Sequence, residues 1–309
     1  MKPLGAWKLG VLVMSCVLGL SGLASAAELV LYSIPARRGI SWKSPRALLL
    51  SRLKNELNFR RGPKHKLGHV AVELTSKSGH FLTGMTDTGE VSYKHQVFKE
   101  GYGLGVTTES VPGRLQRPDE VGPDLQRRFK DGSVTYMRFL ISDKSAARVA
   151  DYITQFEQKG YDQRYGGSLR PRHKEGSGCS AFGASCMSVA GVLDPKMSQS
   201  WLKDVRLPGA LVGGPDTGRK VPVLKLLFSQ LASRWAHKGE EGERLHIYDP
   251  GAIATWITAQ HDALKAGSAT KFGMKLVAEQ VGKAKGLLVD ARDVPTPTDA
   301  LFVGPEPKQ

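Results

Sequence analysis

The sequence predicts an α+β domain in which an antiparallel sheet is joined to a helix that carries a cysteine, followed by a mainly helical C-terminal region. Three observations lead there. Short apolar runs, partly alternating, at 28–34, 70–74, 81–85 and 134–141 have the length and composition of strands. The turn-forming stretch Thr75-Ser76-Lys77-Ser78-Gly79 between two of them marks a hairpin. The run Gly176-Ser177-Gly178 then gives way at Cys179 to an apolar segment with helical spacing that should end near Gly191.

Taken in order, residues 1–26 read as a secretory signal: Lys2 and Lys8, the apolar run Leu9 to Leu23, then Ala24-Ser25-Ala26-Ala27, with cleavage after Ala26 or Ala27. The remainder divides into a domain over 27–194 and a region over 195–309 that is either a second domain or decoration on the first. A strand at Glu28 to Ile34 leads to a helix at about 45–58, with Ser44 as N-cap and Pro45 at N1. Leu49, Leu50, Leu53 and Leu57 share one face of it, and Arg46, Arg52 and Lys54 lie elsewhere, as in a core helix with a solvated basic side or a membrane-surface helix. Further strands are expected at Leu104 to Val111 and Val134 to Ile141. Ser142 caps a helix over 143–158 carrying Ala147, Val149, Ile153 and Phe156. Beyond Pro195, helices are expected at 219–237, 250–266 and 270–284, the middle one capped by Asp249-Pro250, with strand-like pieces at Leu245 to Tyr248 and Leu287 to Asp290.

Charge and cysteine content narrow the setting. The net charge of +15 becomes +13 once Lys2 and Lys8 leave with the signal, and Arg37 to Lys66 holds ten lysines and arginines against Glu56 alone. Such a stretch attracts anionic polymers or surfaces. Export, to a periplasm or beyond the cell, makes nucleic acid the poorer partner and favours an anionic cell-envelope polymer or lipid head group. No segment after the signal is long and apolar enough to span a bilayer. After cleavage only Cys179 and Cys186 remain; on one helix their Cα atoms lie ~10 Å apart, too far for a disulfide. Cys186, near Phe182, Val189 and Ala190, suits an inert core position. Cys179, at a helix start, suits a reactive one, because open amides and the positive end of the helix dipole favour a thiolate.

A thiolate needs a base, and His69, between Gly68 and the alternating strand Val70, Val72, Leu74, is the candidate. His65 and His69 would share a metal only on a helix, which Gly62-Pro63 opposes, and Gly101-Tyr102-Gly103-Leu104-Gly105 lacks the helix of a dinucleotide fingerprint. Neither metal nor cofactor is expected. Arg170, Arg172, His173 and Lys174 form either a solvated loop or an anion-binding approach to the cysteine, and Tyr161 and Tyr165 either donate to an oxyanion or pack.

Gly68-His69-Val70-Ala71-Val72, followed about a hundred residues later by Gly178-Cys179-Ser180, resembles the circularly permuted papain-like proteins. These are relatives of the NlpC/P60 peptidases in which the histidine precedes the cysteine, as in the lecithin:retinol acyltransferase-like group. The resemblance covers roughly residues 28 to 192. It implies a papain-like α+β fold, a Cys-His pair and thioester chemistry on amides or esters, with a third polar residue on the neighbouring strand orienting the imidazole. A hairpin turn near Lys77 sets His69 opposite Met85 or Thr86 and makes Asp87 the candidate for that residue. The acyltransferase-like members use a second histidine about a dozen residues on. His80 would fill that place only if the turn moved to Leu74-Thr75, against the turn signal. The resulting expectation is an exported cysteine hydrolase that cleaves an amide, most simply a cell-wall peptide, with Cys179, His69 and Asp87 as catalytic residues. A lipid ester or amide hydrolase or acyltransferase, a non-catalytic module binding envelope polymers, and a secreted nucleic-acid-binding protein are the alternatives.

Overall fold

The computed structural model describes residues 27–56, 65–77, 79–268 and 273–304. The signal segment, Leu57, and the part of the basic stretch that includes Arg60, Arg61 and Lys64 lie outside them. The architecture is α+β. The central sheet starts from β1 (Ala27–Ile34), and the helix α1 (Pro45–Glu56) crosses to its neighbour β2 (His69–Ser76). The hairpin continues into β3 (Gly79–Thr83), after which β4 (Met85–Asp87), the short α2 (Tyr93–His95) and β5 (Val111–Leu115) leave the sheet. Helix α3 (Pro118–Asp131) returns the chain to β6 (Thr135–Ile141), and α4 (Asp143–Gln158), β7 (Arg164–Tyr165) and α5 (Cys179–Ala190) follow. The remainder comprises α6 (Pro195–Trp201), β8 (Leu202–Pro208), α7 (Val223–Phe228), β9 (Gly242–Tyr248), α8 (Pro250–Lys265), β10 (Leu276–Val281) and β11 (Ala284–Ala291).

The six-stranded sheet has the order β10-β11-β6-β1-β2-β3, antiparallel except where β11 runs parallel to β6. Both faces are covered, which is why β1 and β2 read as nearly continuous apolar runs. Leu29, Leu31, Val70, Val72 and Leu74 point to the side packed by α4, α5 and α8. Val30, Tyr32, Ile34 and Ala71 point to the side packed by Val121 and Leu125 of α3. A third core, with Leu49 of α1 and Leu226 of α7, gathers under the antiparallel β8–β9 pair. Leu49 is buried there, whereas Leu50, expected on the same face, stands 41 % exposed.

Local signals account for several boundaries. Ser142 accepts the Ser145 N–H and starts α4, Asp249 accepts the Gly251 N–H and starts α8, and Gly191 ends α5 in the left-handed region. Elsewhere the structure corrects the sequence reading. The strand expected at 104–111 is a 3₁₀ turn over Leu104–Thr107, and extended chain begins only at Val111. Gly105 lies against Gly213, whose carbonyl oxygen would be 2.0 Å from a Cβ there, so this segment packs backbone to backbone and does not join a ladder. The sequence reading has no helix at 118–131, where Pro118 opens α3 and the Glu120 carboxylate accepts the Arg117 N–H at its N-terminus.

The C-terminal region is largely strand and not mainly helical. In place of a helix at 270–284, β10 turns through Gly282, at φ 57°, into β11, a conformation that glycine adopts without strain. In place of one helix at 219–237 there are α7 and a 3₁₀ turn over Gln230–Ser233, separated where the Ser229 hydroxyl accepts the Leu231 N–H. The helix at 250–266 is present as α8, which lies against β1, β6, β10 and β11, so residues of this region complete the central sheet and cover it. No helix among the described residues is long and apolar enough to cross a membrane.

Candidate active site

His69 opens β2 and Cys179 opens α5, and the fold brings these two side chains within hydrogen-bonding reach. The contact depends on how closely α5 lies on the sheet. Gly183, one turn beyond Cys179, faces Leu31 and Val70; a Cβ there would come within 2.6 Å of Leu31 Cδ1 and 2.7 Å of Val70 Cγ1. The absent side chain lets the helix start settle over the end of β2.

The thiol is buried, with Cys179 only 8 % exposed. Burial by itself raises its pKa. The hydrogen bond and charge of His69, the Val70 N–H and the Ser180 hydroxyl outweigh that and bring the thiol down from 9.0 to about 7. Tyr165 also reaches the sulfur with its hydroxyl. Burial, followed by the charge on Cys179, holds that phenol well above its ordinary pKa, so it stays protonated and can donate. The start of α5 is capped by Gly178 without a side-chain acceptor, which leaves its first amides open. Cys186, on the same helix, is the inert counterpart: burial raises its thiol far above the ordinary range, and both cysteines are free.

The imidazole is held from its other side. Its Nε2–H donates to Gln116 Oε1 at 2.6 Å, which leaves Nδ1 as the nitrogen for the thiol. Gln116 is fixed through its backbone: its N–H donates to the Gly84 carbonyl at 2.8 Å and its carbonyl accepts from the Thr83 hydroxyl at 2.8 Å. Asp87 does not take this place. It ends β4, opposite Gly113 of β5, and accepts the Gly89 N–H at 2.9 Å. The β2–β3 register, Val72 opposite Thr83, would carry on to set Thr86 opposite His69, but the ladder stops at Thr83. At Gly84 the chain turns away to pair with β5, and a Cβ at Gly84 would lie 3.1 Å from both Gln116 Oε1 and His69 Nε2. His80 is remote from the pair, opposite Thr75 and bonded to Glu73 at 2.7 Å.

His65 forms a backing for the imidazole. Its ring stacks on that of His69 with centroids 4.1 Å apart and planes within 4°, and its Nε2 lies 3.3 Å from Asp124, which also accepts from Arg128 Nε at 2.8 Å. Burial lowers the pKa of His65 to about 4, against the raising effect of Asp124. The folded protein therefore keeps this ring neutral at pH values where an unfolded chain, with an ordinary His pKa of 6.5, binds a proton. Stability should fall as pH drops from about 6.5 to about 4, by up to about 3 kcal/mol from this group. Urea unfolding across that range, compared with His65→Gln, measures it; the variant should lose that part of the slope.

Beside the thiol, Tyr93 is close enough for its pKa, raised by burial to about 12, to feel Asp87, Arg52 and Cys179. Tyr93 also stands at a shallow groove whose walls include Leu48, Leu49, Leu53, Phe98 and Leu104. The basic loop before Cys179 is largely paired: Arg170 with Glu175, and Arg172 with Asp299 and the Leu301 and Ala300 carbonyls. Among the described residues no cluster of three or more His, Cys, Asp or Glu is arranged to hold a metal ion.

The arrangement is a thiol, an imidazole and a carboxamide in line, with open helix amides and a phenol beside the sulfur. Comparison with family models, curated proteins and solved structures returned no match to this chain. Sequence reasoning did not pick out Gln116, which sits at a strand end with no spacing that marks it.

Proposed function

We propose that this protein is an exported cysteine hydrolase of the permuted papain-like kind. The observation that carries the reading is the Cys179 thiol at an uncapped helix start, lowered to a pKa of about 7 by an imidazole that Gln116 orients. The thiolate attacks an amide or ester carbonyl, and the oxyanion is met by the Cys179 N–H, with the Tyr165 hydroxyl beside the sulfur as a second donor. Protonated His69 gives its proton to the departing amine or alkoxide, leaving a thioester on Cys179. Water then attacks the thioester as His69 takes its proton, and the carboxylic acid and free thiol are released.

Export and positive charge favour a peptide amide of the cell envelope as substrate. A lipid ester or amide is the second reading, favoured by the apolar groove that runs to Tyr93. Both require the same covalent intermediate. Acid-quenched protein incubated with an envelope peptide or with a p-nitrophenyl acyl ester should gain the mass of the acyl group, removable by neutral hydroxylamine. Cys179→Ala should gain none, and a purely binding role for the domain predicts no acyl mass in either protein.

A further inference from the structure

Of the large apolar side chains that stand exposed among the described residues, five, Leu50, Phe98, Leu224, Phe228 and Leu231, come from the segments that wall the groove beside Tyr93 or pack against those walls. On α7 the arrangement has a clear sense. Leu226 points inward and is fully buried, while Leu224 and Phe228, one turn apart on the opposite side, are 65 % and 76 % exposed. Soluble surfaces carry scattered apolar residues, but a concentration of them around one opening marks a place of contact.

The charge around this opening is mainly positive. The segments 45–56, 93–107 and 220–234 hold eight lysines and arginines against Glu56 and Glu100, and Lys54, Lys99 and Lys225 are exposed among them. Protruding leucine and phenylalanine tips ringed by lysine match a surface that is negative at its face and apolar just beneath. A protein partner of the same extent would need a complementary acidic, concave face.

We infer that the surface formed by α1, the turn at 96–100 and α7 docks on an anionic lipid bilayer, with Phe98, Leu224 and Phe228 entering the acyl boundary and the lysines lying at the head groups. This places the groove mouth, and Tyr93 behind it, against the bilayer. The inference does not depend on the chemistry of Cys179.

Amide hydrogen exchange of the full chain tests it, with vesicles of phosphatidylglycerol and of phosphatidylcholine. Exchange at 94–100 and 222–233 should slow at least about tenfold with phosphatidylglycerol vesicles only, and less so as salt is raised. The pair Leu224→Ser and Phe228→Ser should lose about tenfold of that protection, Val277→Ser, at another exposed apolar position, should keep it, and Cys179→Ala should keep it as well. Unchanged exchange in β1 verifies that each variant is folded. Equal exchange with and without phosphatidylglycerol overturns the inference. So does protection that soluble polyglutamate reproduces and that survives loss of Leu224 and Phe228, which would mean a polymer-binding face.

Discussion

Iodoacetamide should alkylate Cys179 at a rate that climbs through a midpoint near pH 7, and in His69→Ala that midpoint should move to 9 or above. The direction follows from the balance at the sulfur, where burial opposes ionisation and His69 supplies the largest opposing effect. At pH 7 a thiol of pKa about 7 is half ionised and one of pKa 9 is about 1 % ionised, so the variant should react roughly 50-fold more slowly. Loss of turnover should be larger, because His69 also moves the protons of both chemical steps; about 10⁴-fold or more in kcat/KM is expected for either His69→Ala or Cys179→Ala. Cys186 serves as an internal control, since its buried thiol should label only after unfolding. Identical profiles for wild type and His69→Ala would remove the basis for catalysis by this pair.

Gly183→Val separates the pair without touching either member. The new side chain begins 2.6 Å from Leu31 Cδ1 and 2.7 Å from Val70 Cγ1, both on fully buried residues with no room to turn aside, so α5 should lift. Overpacking of this kind costs about 1–3 kcal/mol, measurable by urea unfolding. A displacement of about 1 Å at the helix start should lower kcat/KM about 100-fold and raise the alkylation midpoint toward that of His69→Ala. Gly183→Ala should fall between, because its single methyl asks for a smaller shift. A Gly183→Val protein that unfolds more easily yet keeps the midpoint near pH 7 would show that the close seat of α5 is not what positions the thiol.

The parts of the fold that could be read from the sequence are those where one local signal decides the outcome. Ser142 and Asp249 start their helices because short polar side chains reach the open amides, and Gly191 ends α5 because the left-handed cap suits glycine. Cys179 and His69 were legible for the same reason: each sits at the first residue of a regular element, where side chains project from its end. Asp87 and Gln116 show the limit. Extending the hairpin register past Thr83 is sound arithmetic, but the chain leaves the ladder at Gly84 to pair with β5, and that choice depends on a partner thirty residues away. The same holds for 276–284, whose apolar spacing passes for a helix until β11, seated on β6, offers an edge. Long-range pairing has no local signature, and both of these misreadings involve it.

That pairing has a consequence for how the molecule is made. β11 is wedged between β6 and β10, and each residue of the β6–β11 register sits beside one 150 residues away, as Lys285 does beside Thr135. Until that late segment has emerged from the ribosome, β6 presents a bare edge, and α8 has no complete sheet on which to rest. The Cys179–His69 pair lies wholly on earlier residues, yet the sheet beneath it closes only once 284–291 have been made. The chain should therefore remain threadable and vulnerable to pairing with other edges until β11 arrives, and should fold as a slow, single event and not helix by helix.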